Sequence, residues 1–170
     1  SAADPVMARE INTNGAGSLI QSCVKKSIKR FIYISTAHVY GSPLAGVINE
    51  ESIPNATHPY SLTHLDAEKI ILKMSDSTET IPTILRLSNA VGSPLTSDTN
   101  CWMLVVNDII KQLVTTNTIK FSSHSSIERD YISISQINHT IDYILKAPKD
   151  SFEGIYNLGS GVSMTLEGLS

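Results

Sequence analysis

Met7, Ile11, Gly15, Leu19 and Cys23 recur every four residues, with Ile20 and Val24 beside them. That spacing predicts a single apolar stripe on a helix of about five turns. Gly15 and Gly17 each cost such a helix about 1 kcal/mol relative to alanine, so a close backbone approach to a sheet is expected there. Lys25, Lys26, Lys29 and Arg30 gather at the end where cations suit the helix dipole. Phe31 to Ser35 is nearly apolar without alternation, the pattern of a strand buried on both faces in a parallel sheet. Beyond a loop carrying Gly41, Pro43, Gly46, Pro54 and Pro59, a second helix is predicted from about Tyr60 to Met74. Leu62, Leu65, Ile71, Leu72 and Met74 are its apolar positions.

Ser75 to Thr80 is a polar connector, Ile81 to Ser88 a further strand, and Asn89 to Asn100 a loop. A helix over Cys101–Val114 and short strands over Thr118–Ser122 and Tyr131–Ile134 follow. The helix Gln136–Ala147 presents Ile137, Ile141, Ile144 and Leu145 and stops at Pro148. Gly154–Leu158 is the last strand, and Thr165 has the character of a helix N-cap. Strands alternating with helices give an α/β architecture with a parallel sheet.

Composition narrows the classes of function. With 41% hydrophobic and 17% charged residues the chain is neither disordered nor membrane-embedded in character. A formal charge of -3 with scattered basic residues gives no electrostatic reason to expect nucleic acid or an anionic membrane as partner. Cys23 and Cys101 stand in neither disulfide-framework nor metal-ligand spacing, so a reduced chain and a cytoplasmic location are expected. Ser1 to Pro5 lacks the basic and apolar regions of a signal peptide, and Trp102 to Val106 is too short to cross a bilayer. His38, His58, His124 and His139 have no carboxylate or cysteine spacing that joins them into a metal site. Trp102 and Met103 are read as core or interface residues, and Asn12 as a structural residue tying its helix to a neighbouring loop.

Six segments then fall in the order of a known family. They are Asn12-Thr-Asn-Gly15 with Leu19-Ile20; Lys29 to Gly41, including Ser35-Thr36-Ala37-His38-Val39-Tyr40; and Pro59-Tyr60-Ser61-Leu62-Thr63-His64. After these come Leu85 to Gly92, Arg129-Asp130-Tyr131-Ile132, and Tyr156 to Gly161. Together they resemble the extended short-chain dehydrogenase/reductases, the NAD-dependent epimerase/dehydratase family. The resemblance implies a partial Rossmann-like parallel sheet, later strands only, with part of a small C-terminal substrate-binding region. It places the C-terminal half of the NAD(P)-binding domain in residues 1–92. Residues 93–170 become a partial substrate-binding region with a returning Rossmann strand and helix. No Gly-x-Gly-x-x-Gly follows a strand here: Gly15-x-Gly17 lies in a predicted helix, and Gly159-x-Gly161 lacks the third glycine. The expectation is therefore a chain that starts and stops inside the family's fold, with β-edge Phe31–Ser35 unpaired, and that binds NAD weakly or not at all by itself.

The chemistry implied by the resemblance is that of a nucleotide-sugar epimerase or 4-keto reductase. Such an enzyme removes hydride from a sugar carbon to NAD, NADP not being excluded, and returns it. By resemblance Tyr60 is the acid/base, Thr36 holds the substrate oxygen, and the cofactor contacts are Tyr60, His64 and Ser88. Asn89 and Arg129 are the substrate contacts, Arg129 offering a planar fork of donors to a phosphate. An Arg129–Asp130 turn interaction and an ordinary loop asparagine remain the alternatives at these two positions. A free tyrosine has a pKa near 10 and is a poor base at neutral pH unless its phenolate is stabilised. The family places lysine four residues on, where it adds charge and binds the nicotinamide ribose. Here that residue is His64. Either the imidazole substitutes for lysine or the site is degenerate, slow or inactive. Ala37 and His38 stand where 4,6-dehydratases of the family carry an Asp-Glu pair, which disfavours dehydration. A nucleotide-sugar partner and a homodimer of the intact protein complete the expectation.

Overall fold

The computed structural model of the chain describes residues 4–96, 98–99, 101–102, 104–120, 128–165 and 168. In chain order the elements are α1 (Pro5–Arg9), a π-helical stretch (Glu10–Gly15), α2 (Ala16–Lys25), β1 (Arg30–Thr36) and a short 3-10 turn (Ala37–Tyr40). They continue with α3 (Pro59–Ser75), β2 (Ile81–Leu87), β3 (Asn89–Val91), α4 (Val105–Thr116), β4 (Arg129–Ser133), α5 (Ile134–Lys146), β5 (Gly154–Leu158) and β6 (Ser163–Met164). They form two compact units: Ser1–Leu87 with Thr140–Leu158, and Ser88–His139 with Gly159–Ser170.

In the first unit, Asp4 caps α1 by accepting from the Met7 N–H at 2.9 Å, and Pro5 sits where a helix needs no donor. α1 runs into α2 through the π-helical stretch, and this shifts the predicted stripe. The i→i+5 bonding widens the turn and rotates the inward face. Ala8, Thr13, Ala16 and Ile20 are buried, while Met7, Ile11 and Leu19 are exposed. Asn12 and Thr13 do tie the helix down, but to α3 and not to a loop. Asn12 Nδ2 donates to Thr63 Oγ1 at 3.1 Å and Thr13 Oγ1 to the Thr63 carbonyl at 3.0 Å. The close approach at Gly17 is likewise to α3, since a Cβ there would lie 3.3 Å from Ile70 Cγ2.

β1, β2 and β5 form a parallel sheet in the order β1-β2-β5, with Arg30 opposite Ile81, Thr36 opposite Leu87, and Leu87 opposite Leu158. Burial on both faces belongs to the central strand: β2 is buried from Pro82 to Arg86. β1 is the edge, and Ile34 within it is exposed. Ala16, Ile20, Ala67, Ile71 and Ile84 make the core, with Val24, Phe31, Tyr33 and Ile155 packed around them. This core locks α2 and α3 onto one face of the sheet, and burying such side chains is the main stabilising term. The buried face of α3 is more polar than its apolar spacing suggests. Ser61, Thr63, Glu68 and Ser75 are buried with Ala67 and Ile71, while Leu62 is exposed.

In the second unit, Asn89–Val91, expected as loop, is a strand that pairs in parallel with β4, Asn89 opposite Tyr131. β6, which the sequence pattern does not signal, pairs antiparallel to β4, Arg129 opposite Met164. α4 begins at Val105, later than expected, and Ile134 opens α5 instead of closing β4. Thr118 to Lys120 form no strand, and the rest of that expected strand, Phe121 and Ser122, lies outside the described residues, as do Met103 and His124. On α5, Ile137 and Ile144 are buried but Leu145 is exposed. Ile109 and Tyr131 form the core of this unit, with Val91, Val105, Val106 and Ile119 around them.

Gly92 closes the Leu85–Gly92 motif because no side chain fits. A Cβ there would lie 2.6 Å from Ile134 Cγ1 and 3.1 Å from Ile134 Cβ. Gly92→Ala is expected to cost about 1–3 kcal/mol, the usual penalty of overpacking, read as a lower denaturant midpoint with an unchanged m-value. No helix among the described residues is long and apolar enough to cross a membrane.

Candidate active site

Three of the expected residues meet at the junction of β1 and α3. Thr36 ends β1, is buried, and accepts from the His38 N–H at 3.2 Å, which turns the chain into the 3-10 segment. Tyr60 lies in the first turn of α3. That turn is fixed by His58, whose Nδ1 accepts from the Tyr60 N–H at 3.2 Å and whose carbonyl accepts from Ser61 Oγ at 3.0 Å. Pro59 sets the helical φ between them. His58, to which the sequence assigns no part in a metal site, thus acts as the N-cap that orients Tyr60. His64 follows one turn on, and its ring meets the Tyr60 ring edge-on with centroids 4.6 Å apart.

The electrostatics of this trio follow from partial burial. Burial pushes the Tyr60 phenol above its ordinary 10, and the Thr36 hydroxyl nearby pulls it back part of the way. Burial pushes His64 below its ordinary 6.5, against the pull of the Glu68 carboxylate, so the imidazole is neutral at pH 7. His64 Nδ1 is hydrogen-bonded to the Tyr33 hydroxyl at 3.0 Å. The remaining nitrogen, Nε2, has no partner among the described residues. Tyr33 itself is pushed up to about 12 by burial, with Glu68 and Tyr60 adding to the effect.

Ser88, Asn89 and Arg129 belong to the second unit. Asn89 Nδ2 donates to the Asp130 carbonyl at 2.8 Å and so ties β3 to β4. Arg129 does not pair with Asp130. Among the described residues its guanidinium has neither an ion pair nor a side-chain hydrogen bond, although its charge lowers the Tyr131 phenol against the rise from burial. Asp130 instead organises the loop after β5, accepting from the Ser160 N–H at 2.9 Å, from Ser160 Oγ at 3.1 Å and from the Gly161 N–H at 2.7 Å. Burial raises this carboxyl, but Ser88, Ser160 and Gly161 together hold it below the ordinary carboxylate range.

The sequence profile of the NAD dependent epimerase/dehydratase family matches residues 1–159. The chain belongs to the NAD-dependent epimerase/dehydratase family. It is 28% identical over 162 residues to a dTDP-D-glucose 4,6-dehydratase of Dictyostelium discoideum, covering 89% of this chain and 36% of that protein. It is also 28% identical over 184 residues to a UDP-glucose 4-epimerase of Caenorhabditis elegans, covering 98% of this chain and 53% of the relative. Among solved structures, a UDP-N-acetylglucosamine 4-epimerase from Methanobrevibacter ruminantium superposes with a TM-score of 0.87 at 22% identity, over 99% of this chain and 53% of the other. That likeness establishes the Rossmann-like fold. The chain spans about half or less of the length of these curated relatives.

Sequence reading of this family member missed four residues that build the site. Glu68 and Arg86 form a buried ion pair, Arg86 Nη2 donating to Glu68 Oε2 at 2.6 Å and Nε to Oε1 at 3.1 Å. Ser35 Oγ donates to the same carboxylate. Tyr33 holds His64. Two signals were available: Glu68 continues the four-residue spacing of Tyr60 and His64, and an arginine inside the apolar run Ile81–Leu87 demands a buried partner.

Proposed function

We propose that the intact protein is an NAD(P)-dependent nucleotide-sugar epimerase or 4-keto reductase of the cytoplasm, acting at a sugar hydroxyl. The observation that carries this reading is the convergence of the Thr36 hydroxyl, the Tyr60 phenol and the His64 imidazole at one strand–helix junction. An accessible phenol, a hydroxyl and an unpartnered imidazole nitrogen are uncharged hydrogen-bonding groups, which suit the ribose and nicotinamide end of a dinucleotide. In this reading Tyr60 and His64 hold that end, with Ser88 as a further contact. NAD, when bound, supplies the acceptor for hydride from the sugar carbon and the donor for its return. Tyr60 takes the proton of the sugar hydroxyl and gives one back, and Thr36 holds the oxygen in reach. Asn89 and Arg129 are assigned to the nucleotide-sugar; the absence of a carboxylate partner for Arg129 among the described residues suits a phosphate ligand.

Dehydration is disfavoured even though a 4,6-dehydratase is among the relatives. Elimination needs an additional acid and base, and the two residues after Thr36 are Ala37 and His38. Exposed Met7, Ile11, Leu19 and Leu62 on α1, the π-helical stretch, α2 and α3 support a homodimer.

A second reading, a non-catalytic binder of the same ligands, draws support from the neutral His64, which gives Tyr60 no cation. Incubating the intact protein with NAD and a panel of UDP-, dTDP- and GDP-sugars separates the two. C4 inversion or NADH formation is expected, and neither appearing with any sugar would sink the enzymatic reading. In the same assay His64→Lys is expected to give no large fall in KM for NAD; a drop of about tenfold or more would mark the wild-type site as a drifted lysine site.

A further inference from the structure

Tyr33 stands beside the trio, inside the Lys29–Gly41 segment, but the reading above gives it no role. Its hydroxyl is 3.0 Å from His64 Nδ1, and the two rings are 5.9 Å apart at a 44° tilt. Such a contact has two possible polarities. Either the phenol O–H donates to a bare Nδ1, or Nδ1–H donates to the phenol oxygen. The second needs another acceptor for the phenol proton. Glu68 is the buried carboxylate that acts on both rings, and its oxygens already accept from Ser35 Oγ, Arg86 Nε and Arg86 Nη2. Among the described residues Tyr33 has no hydrogen-bond partner other than His64.

We propose that Tyr33 is the positioning residue of His64: its hydroxyl donates to Nδ1, fixes the imidazole proton on Nε2, and makes His64 a neutral single-proton donor in the lysine position. The ionisable groups facing the imidazole are Tyr33 from β1 and Tyr60 and Glu68 from α3. A proton added at Nδ1 would displace the Tyr33 donor and strand the phenol proton, so the pair resists forming an imidazolium. This explains how the position can tolerate the loss of lysine: it gives up the charge and keeps one oriented N–H. The use of that N–H on a ribose hydroxyl rests on the proposed function, whereas the tautomer does not.

The test is the ring-nitrogen NMR of His64 in the intact, 15N-histidine-labelled protein near pH 7. A single Nε2–H tautomer with a hydrogen-bonded Nδ1 is expected, and Tyr33→Phe is expected to abolish the hydrogen-bonded Nδ1 shift. In an active enzyme the same variant should raise KM for NAD about fivefold, the worth of one neutral hydrogen bond, with kcat nearly unchanged. An Nδ1–H tautomer in the wild-type protein overturns the proposal, and this measurement needs no variant to fold. So does an Nδ1 shift that Tyr33→Phe leaves in place. If the tautomer is found in a protein that turns over no sugar, the proposal stands and the enzymatic reading falls.

Discussion

Tyr60→Phe is expected to lower kcat/KM of the intact protein by about a hundred- to ten-thousandfold, the range for removing a general acid/base. The fold should be untouched. Phenylalanine keeps the ring that meets His64 edge-on, and the His58 cap acts through the backbone of residue 60. Only the hydroxyl is lost, and with it the influence of Thr36 on its pKa. The pH dependence has a definite sign. As a base Tyr60 works deprotonated; burial raises its pKa and His64, neutral at pH 7, contributes no cation to bring it down. Activity therefore rises with pH. Against NAD, kcat/KM reports the free protein and should climb about tenfold per unit across pH 7 to 9. In Tyr60→Phe the residual rate should lose that slope. A flat wild-type profile over this range would remove Tyr60 from the role of base.

What the sequence disclosed, and what it hid, divides along physical lines. β5 was legible to the residue, Gly154–Leu158, and α3 to within a residue or two, because apolar period and Pro59 agree there. The α1–α2 stripe was misplaced since a π-helical stretch breaks the 3.6-residue period without any glycine or proline rule to announce it. β1 was given the burial that β2 has, because an apolar run marks a parallel strand and not its place in the sheet. β3 and β6, of three and two residues, are set by pairing with β4 and carry too few positions for any period. Thr36, Tyr60 and His64 were named through the family resemblance, and the three lie together where β1 meets α3. Tyr33 was not: it sits 31 residues from His64, and only the strand–helix packing brings the two together.

The largest effect on stability is expected at a pair that the apolar pattern conceals. Glu68 and Arg86 are 1% and 3% exposed, with two of the guanidinium nitrogens on the carboxylate. Burial pulls Arg86 down, but hydrogen bonds to Glu68 and the neighbouring Tyr40 more than reverse this, so the guanidinium stays charged. Its carbon lies 4.7 Å from the centre of the Tyr40 ring, and the Tyr40 hydroxyl donates to Asn157 Oδ1 at 2.8 Å. With Ser35 also donating to Glu68, one polar network joins α3 to β1, β2 and β5. Glu68→Ala strands a buried cation and is expected to cost about 3–5 kcal/mol in denaturant unfolding of the intact protein. The double variant Glu68→Leu, Arg86→Met removes both charges and should recover most of that loss, because the pair's attraction is largely offset by the desolvation of two ions. Coupling of this size separates the pair from surface ion pairs such as Lys29–Glu79, both 65% exposed, where deletion should leave the denaturant midpoint nearly unchanged. A Glu68→Ala cost as small as that would show water reaching the pair. The network's anchor beneath β1 would then be lost, and with it the rigidity that holds Tyr33 and Thr36 against His64 and Tyr60.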